Sequence, residues 1–96
     1  MKGQTMATVR IPAPLRTYTK DQREVTAAGK TVGEVLRNLE KAYPGIGERL
    51  LDEKGNVRRY VNVFHNDEDI RFLKDLETPV AEGDRLSVIP AIAGGI

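Results

Sequence analysis

Only one stretch of this 96-residue chain, residues 31–43, spaces its apolar side chains for a long helix, and that fact constrains the fold most. Thr31 and Glu34 stand in the S/T-x-x-E spacing of a capping box, which satisfies two N–H groups orphaned at a helix start. Val32, Val35, Leu36, Leu39 and Tyr43 follow at helical intervals and form one apolar stripe. Arg37, Asn38, Glu40 and Lys41 fall on the wet side, and Pro44-Gly45 ends the helix. Gly33 costs the helix up to ~1 kcal/mol relative to alanine, and a close approach of helix to sheet is the expected reason. One amphipathic helix cannot close a core alone, so the strands around it must supply the second layer.

Those strands are legible as short alternating runs. Residues 7–11 alternate, with Val9 and Ile11 inward, and Pro12 and Pro14 end the ladder because proline donates no N–H. Residues 17–22 read as a polar loop, with Leu15 returning to the core. Residues 23–27 form a second strand around Val25, paired with the first as a hairpin with a long connection. After the helix, residues 46–52 make a short helical turn that carries Leu50 and Leu51 inward, and residues 52–56 a charged turn around Gly55. Residues 57–65 are rich in β-branched and aromatic side chains and read as the strongest strand, with Val61 and Val63 in the core and Phe64 nearer the surface. Residues 66–69 turn, 70–72 return as a strand, and 73–80 run irregularly, anchored by Leu76 and Val80. Glu82-Gly83-Asp84 turns again, and 85–90 form the last strand, with Leu86 and Val88 inward. The order β-β-α-β-β-β implies an α+β fold: one mixed sheet of four to five strands with the main helix on one face. If the first and last strands are central neighbours, they run parallel.

Composition narrows the function. The chain is one domain, able to bury roughly 60–65% of its unfolded surface. It has no cysteine, so it forms no disulfide and offers no thiol nucleophile or thiolate metal site. No run approaches ~18 apolar residues and no signal-peptide pattern opens the chain, so no membrane association and a cytoplasmic location are expected. Fifteen basic residues stand against fourteen acidic ones, a net charge of +1, which gives no broad field for nucleic acid.

The chain closes on Ala91-Ile92-Ala93-Gly94-Gly95-Ile96. Glycine has no Cβ, so this strip is thin enough to enter a narrow channel. A glycine pair at a terminus has no second element to turn into, and it makes sense where another protein must reach the terminal carboxylate. The division expected is a folded body over 1–90 and a flexible tail over 91–96.

Two longer stretches carry a resemblance. Residues 82–95, Glu-Gly-Asp-Arg-Leu-Ser-Val-Ile-Pro-Ala-Ile-Ala-Gly-Gly, pair a Gly-Asp turn with an apolar strand, a proline and Ala-Gly-Gly. Residues 59–72 form a matching central hairpin. Together they resemble the MoaD/ThiS family of ubiquitin-like (β-grasp) sulfur carriers, over nearly the whole chain from Thr8 to Gly95. Gly45-Ile46-Gly47-Glu48-Arg49-Leu50-Leu51-Asp52 and the Asn66-Asp67-Glu68-Asp69 turn are most similar to the carriers of cysteine biosynthesis.

The resemblance implies that an E1-like adenylyltransferase/sulfurtransferase, using ATP and Mg2+, joins Gly95 to AMP and then exchanges oxygen for sulfur. The terminal thiocarboxylate would then donate sulfur to a cysteine synthase-like partner carrying pyridoxal phosphate. Gly94 and Gly95 form the adenylation site on this reading. Ile96 departs from the family pattern and implies a precursor cut between Gly95 and Ile96 by a processing metallopeptidase. The resemblance leaves two rivals: the small subunit of molybdopterin synthase, docked on that enzyme's large subunit, and a modifier attached through Gly95 to lysines.

The body offers no catalytic group of its own. His65 is the one histidine, and Asp67, Glu68 and Asp69 lack the spacing of a calcium loop, so no metal site is expected. The chain reads as a protein substrate and carrier, not an enzyme, with no permanently bound cofactor and monomeric when free. Phe64, Ile89, Ile92 and Ala93 are the expected apolar centre of a docking surface, with Arg58, Arg59 and Arg71 at its rim.

Overall fold

The structure, a computed structural model, describes residues 5–90. β1 (Met6–Arg10) and β2 (Glu24–Ala28) pair antiparallel, Arg10 opposite Glu24 and Met6 opposite Ala28. The main helix α1 (Val32–Ala42) follows, then the short α2 (Ile46–Leu50), β3 (Val61–His65), a two-residue β4 (Glu68–Asp69) and β5 (Arg85–Pro90). The sheet order is β2-β1-β5-β3-β4, with β1 and β5 parallel and central. This is the expected mixed α+β sheet, five strands with α1 packed on one face.

Alternation sorts the side chains of each strand between two faces. Ala7, Val9, Val25, Ala27, Val61, Val63, Leu86 and Val88 point toward the helices and are buried. Val32, Val35, Leu36 and Leu39 meet them from α1, and Ile46 and Leu50 from α2. Burying each of these larger aliphatics stabilises the fold by about 1.5–3 kcal/mol. α1 and α2 both pack on this one face, and Ile89 on the opposite face is 49% exposed. No helix among the described residues is long and apolar enough to cross a membrane.

The start of α1 shows why capping signals read well. The Thr31 hydroxyl accepts the Glu34 N–H at 3.2 Å. The Glu34 carboxylate reaches back one residue further than the standard box and accepts the Lys30 N–H at 2.9 Å. At the other end Glu40, assigned to the wet side, accepts the N–H groups of Gly45 at 3.1 Å and Gly47 at 2.6 Å and so stitches α1 to α2. Asn38 donates to the Ala28 carbonyl at 2.7 Å and ties α1 to β2.

Four expectations need correction. The strand expected over 57–65 shrinks to Val61–His65. Val57 bridges Leu51 and the Arg58 N–H bonds the Leu50 carbonyl at 2.9 Å, so this stretch spends its backbone on the end of α2 rather than on the sheet. Residues 70–72 form a 3-10 turn instead of a strand, because the Asp69 carboxylate caps the Arg71 N–H at 2.9 Å. Residues 13–19 form 3-10 helix where a loop was read over 17–22, ending at Thr19, whose buried hydroxyl lies 2.9 Å from the Gln22 carbonyl. Gly33 does sit at a close approach, but to the 75–77 turn: a Cβ there would lie 3.2 Å from the Leu76 carbonyl oxygen.

Candidate functional site

β5, the last element before the Gly-Gly segment in sequence, is held by a strand on each side. β5 pairs with β3 along Val61–Pro90, Asn62–Ile89, Val63–Val88, Phe64–Ser87 and His65–Leu86. On its other side Thr8, Val9 and Arg10 pair with Arg85, Leu86 and Ser87. Parallel β1 and β5 end on the same side of the sheet, so Pro90 emerges there beside the end of β1 and the start of β3. Gly94, Gly95, Ile96, Ile92 and Ala93, the expected chemical and docking residues of the tail, lie outside the described residues.

The far end of β5 is clamped by a polar cluster. Asp84 Oδ2 lies 2.7 Å from His65 Nε2 and accepts the Ala81 N–H at 2.8 Å, while Asp84 Oδ1 accepts from Asn66 Nδ2 at 3.2 Å. Asn66 Oδ1 in turn accepts the Arg85 N–H at 2.9 Å. The Ala81 N–H first, then His65, hold the Asp84 carboxyl below the usual carboxylate range. The lone histidine is therefore a structural partner that joins the β3–β4 turn to the 81–84 turn. The glycine of that turn, Gly83, adopts φ +84°, which a side chain rarely tolerates. Among the described residues no three His, Asp or Glu side chains converge as metal ligands.

The expected docking residues divide. Ile89 is 49% exposed on the open face of the sheet, directly across from Asn62. Phe64 lies on the same face, partly buried between Ser87 and Asp69. The 73–80 segment packs against α1, where Thr31 bridges Pro79 and the Val32 N–H bonds the Thr78 carbonyl at 3.0 Å. Arg71 is exposed, paired with Asp69 at 3.1 Å and donating to Asn62 Oδ1. The Arg71 side chain and then its backbone N–H hold the Asp69 carboxyl below its ordinary range. Arg59 is exposed in the turn before β3. Arg58, expected at the rim, is partly buried and donates from Nε to the Glu48 carbonyl at 2.7 Å, so it braces α2.

Two exposed aromatics were missed. Phe72 is 86% exposed at the end of its 3-10 turn, and Tyr60 is 49% exposed just before β3. Both fell inside stretches read as strands. The Asp69-x-Arg71 capping spacing was the signal that could have found Phe72.

Comparison with known proteins fits this geometry. The ThiS family profile matches residues 9–95, nearly the whole chain. The chain belongs to the ThiS family. It is a small ubiquitin-like carrier on which partner enzymes act. It is 48% identical to the sulfur carrier protein CysO of Mycobacterium tuberculosis over 90 residues, 92% of this chain and 97% of that one. It is 43% identical to small archaeal modifier protein 3 of Haloferax volcanii over 65 residues, 68% of this chain and 70% of that one. Its fold matches the crystal structure of the Amycolatopsis orientalis BexX/CysO complex with a TM-score of 0.87 and 45% identity, covering 93% of this chain and 99% of that chain. The β-grasp expected from the sequence is thus the fold of this carrier.

Proposed function

We propose that this carrier delivers sulfur for cysteine biosynthesis as a thiocarboxylate on Gly95, after a peptidase removes Ile96. The observation that carries the reading is the pairing of a Gly-Gly end with a central, doubly paired strand that ends at Pro90. The likeness to the sulfur carrier protein CysO over 92% of the chain supports a sulfur-carrier role, and cysteine as the destination is part of this proposal.

The chemistry explains the tail. The Gly95 carboxylate oxygen attacks the α-phosphorus of ATP on an E1-like enzyme, and pyrophosphate leaves. A sulfur nucleophile then displaces AMP from the acyl carbon. The thiocarboxylate sulfur attacks the β-carbon of an O-activated serine and expels the oxygen leaving group, and hydrolysis of the acyl–sulfur bond so formed frees cysteine and restores the Gly95 carboxylate. Each step before that hydrolysis needs the acyl end inside a pocket from which water is kept. With Ile96 present, the Gly95 carbonyl is an amide, and the free carboxylate belongs to a β-branched residue that fits poorly in a glycine tunnel. ATP, Mg2+ and pyridoxal phosphate belong to the partner enzymes, and the cytoplasm supplies the reducing setting that a chain without cysteine tolerates.

The docking surface on this reading is the open sheet face around Ile89 and Phe64, rimmed by Arg59 and Arg71, with Ile92 and Ala93 as further apolar contacts to the partner. The test is to incubate the chain with and without Ile96 with an E1-like activating enzyme, ATP and sulfide, and to measure intact mass. The shortened chain should exchange one oxygen for sulfur and the full chain should not. Absence of exchange in both contradicts the reading.

A second reading, a protein modifier joined through Gly95 to lysines, draws support from the likeness to small archaeal modifier protein 3. Isopeptide-linked adducts ending in Gly95 in native-host lysates would favour it. A stable complex with a larger subunit that forms molybdopterin would instead favour the molybdopterin synthase reading.

A further inference from the structure

The end of β5 outruns β1, and a groove opens where they part. Arg10 opposite Ser87 is the last register pair between them. The next residue, Ile11, gives its N–H to the Arg23 carbonyl at 2.8 Å, on the β2 side, and Pro12 then turns the chain away. The resulting groove has a volume of about 720 Å³. Arg10, Arg16 and Arg23 line it, Ile89 and Pro90 supply apolar wall, and Glu24 is the one carboxylate among its described lining residues.

Three guanidinium groups against one carboxylate make a local excess of positive charge in a chain whose net charge is only +1. Arg16 is held in place by a bond from Nε to the Ile11 carbonyl at 3.0 Å. The Arg10–Glu24 pair spans 3.8 Å between side chains 60% and 49% exposed, a solvated contact that a better partner can displace. Guanidinium forks match carboxylates two bonds at a time. Glu24 and the modest total charge disfavour an extended phosphate backbone, which needs a long basic track. Pro90 itself forms part of the wall, so the groove lies within a few residues of the reacting end in sequence, close enough for an enzyme that takes that end to contact it.

We propose that the groove binds an acidic segment, rich in Asp and Glu, on the enzyme that activates the tail, and thereby sets the angle at which the tail enters. This rests on the carrier reading above and names a recognition element for it. Charge steering of this kind acts on encounter more than on chemistry.

The experiment has two arms. In the first, isotope-labelled full-length chain is titrated with an Asp/Glu-rich peptide, its Asn/Gln counterpart and inorganic phosphate, followed by amide shifts. The acidic peptide alone should shift Arg10, Ile11, Arg16, Arg23 and Ile89. The variant R10Q/R23Q should weaken its binding by about tenfold. Shifts centred on other arginines, equal binding of the Asn/Gln peptide, or preferential binding of phosphate overturn the proposal. In the second arm, R10Q/R23Q and R23Q should raise the KM for adenylation of the chain lacking Ile96, by about tenfold for the double variant, with kcat unchanged. An unchanged KM overturns the proposal. If the wild-type chain lacking Ile96 is never adenylated, the carrier reading falls, and the peptide arm still decides what the groove binds.

Discussion

Replacing Asp84 with asparagine tests whether the clamp at the start of β5 holds the strand that presents the tail. The carboxylate receives the Ala81 N–H, a close contact from His65 Nε2 and a longer bond from Asn66. Asparagine keeps one acceptor oxygen, so in the Oδ2 position it can preserve the contacts to Ala81 and His65, but it loses the charge and its NH2 then faces the Asn66 Nδ2 donor. Hydrogen bonds to a charged group contribute about 1.5–3 kcal/mol each when sheltered. The side chains of His65 and Asp84 are 18% and 19% exposed, so solvent screens part of that. A net cost of about 1–2 kcal/mol near neutral pH is expected for D84N. The sign of the pH dependence follows from the lowered pKa of Asp84. A carboxyl whose folded pKa is depressed stabilises the fold fully above its unfolded value of about 3.9, and the contribution disappears as pH falls through the folded value. The gap between wild type and D84N should therefore stay open at neutral pH and close as pH falls through the lowered folded value. Urea unfolding of wild type, D84N, H65Q and the double variant measures both the gap and the coupling between the pair. A gap under about 0.5 kcal/mol at neutral pH, or one that persists in acid, refutes the reasoning.

Three further outcomes are expected. Gly29→Ala should destabilise the fold by about 1–3 kcal/mol in urea unfolding, since its Cβ would lie 2.6 Å from the Val35 backbone nitrogen at a φ of +158°. Glu40→Ala should cost about 1–2 kcal/mol by the same measurement, because it frees the Gly45 and Gly47 N–H groups that join α1 to α2. Phe72→Ser and Ile89→Ser should each change stability by less than about 0.5 kcal/mol, being exposed, while Ile89→Ser raises the KM for the activating enzyme.

The fold was readable where local chemistry and burial agree. The Thr31–Glu34 cap, the stripe from Val32 to Leu39 and the Pro44-Gly45 stop all lie within one element and need no partner to be recognised. The inward alternation of Val9, Leu86 and Val88 served equally well, while the parallel pairing of the first and last strands followed only on the condition that they are neighbours, which the strand order meets. Residues 57–60 misled because β-branched and aromatic content reports fitness for a sheet without saying which backbone is available to pair. Here Leu50 and Leu51 claimed that backbone first. Ile70, Arg71 and Phe72 alternated like a strand, but Asp69 offered the Arg71 N–H a nearer acceptor and turned the chain.

The site was legible to different degrees. Ile89 showed as an apolar residue off the inward register of 85–90, and the structure leaves it exposed. The arginine groove was invisible in the sequence, because Arg10, Arg16 and Arg23 are separated by a connection whose path the sequence does not specify. Arg58 looked equivalent to Arg59 as the denser basic spot, and only the position of the Glu48 carbonyl distinguishes them.

The most direct test of the account is the intact mass of the protein isolated from its native host during active sulfur assimilation. The account predicts a population lighter by one isoleucine residue, part of it carrying sulfur in place of one terminal oxygen. A uniform population that retains Ile96, contains no sulfur at its end and still supports cysteine formation would contradict it.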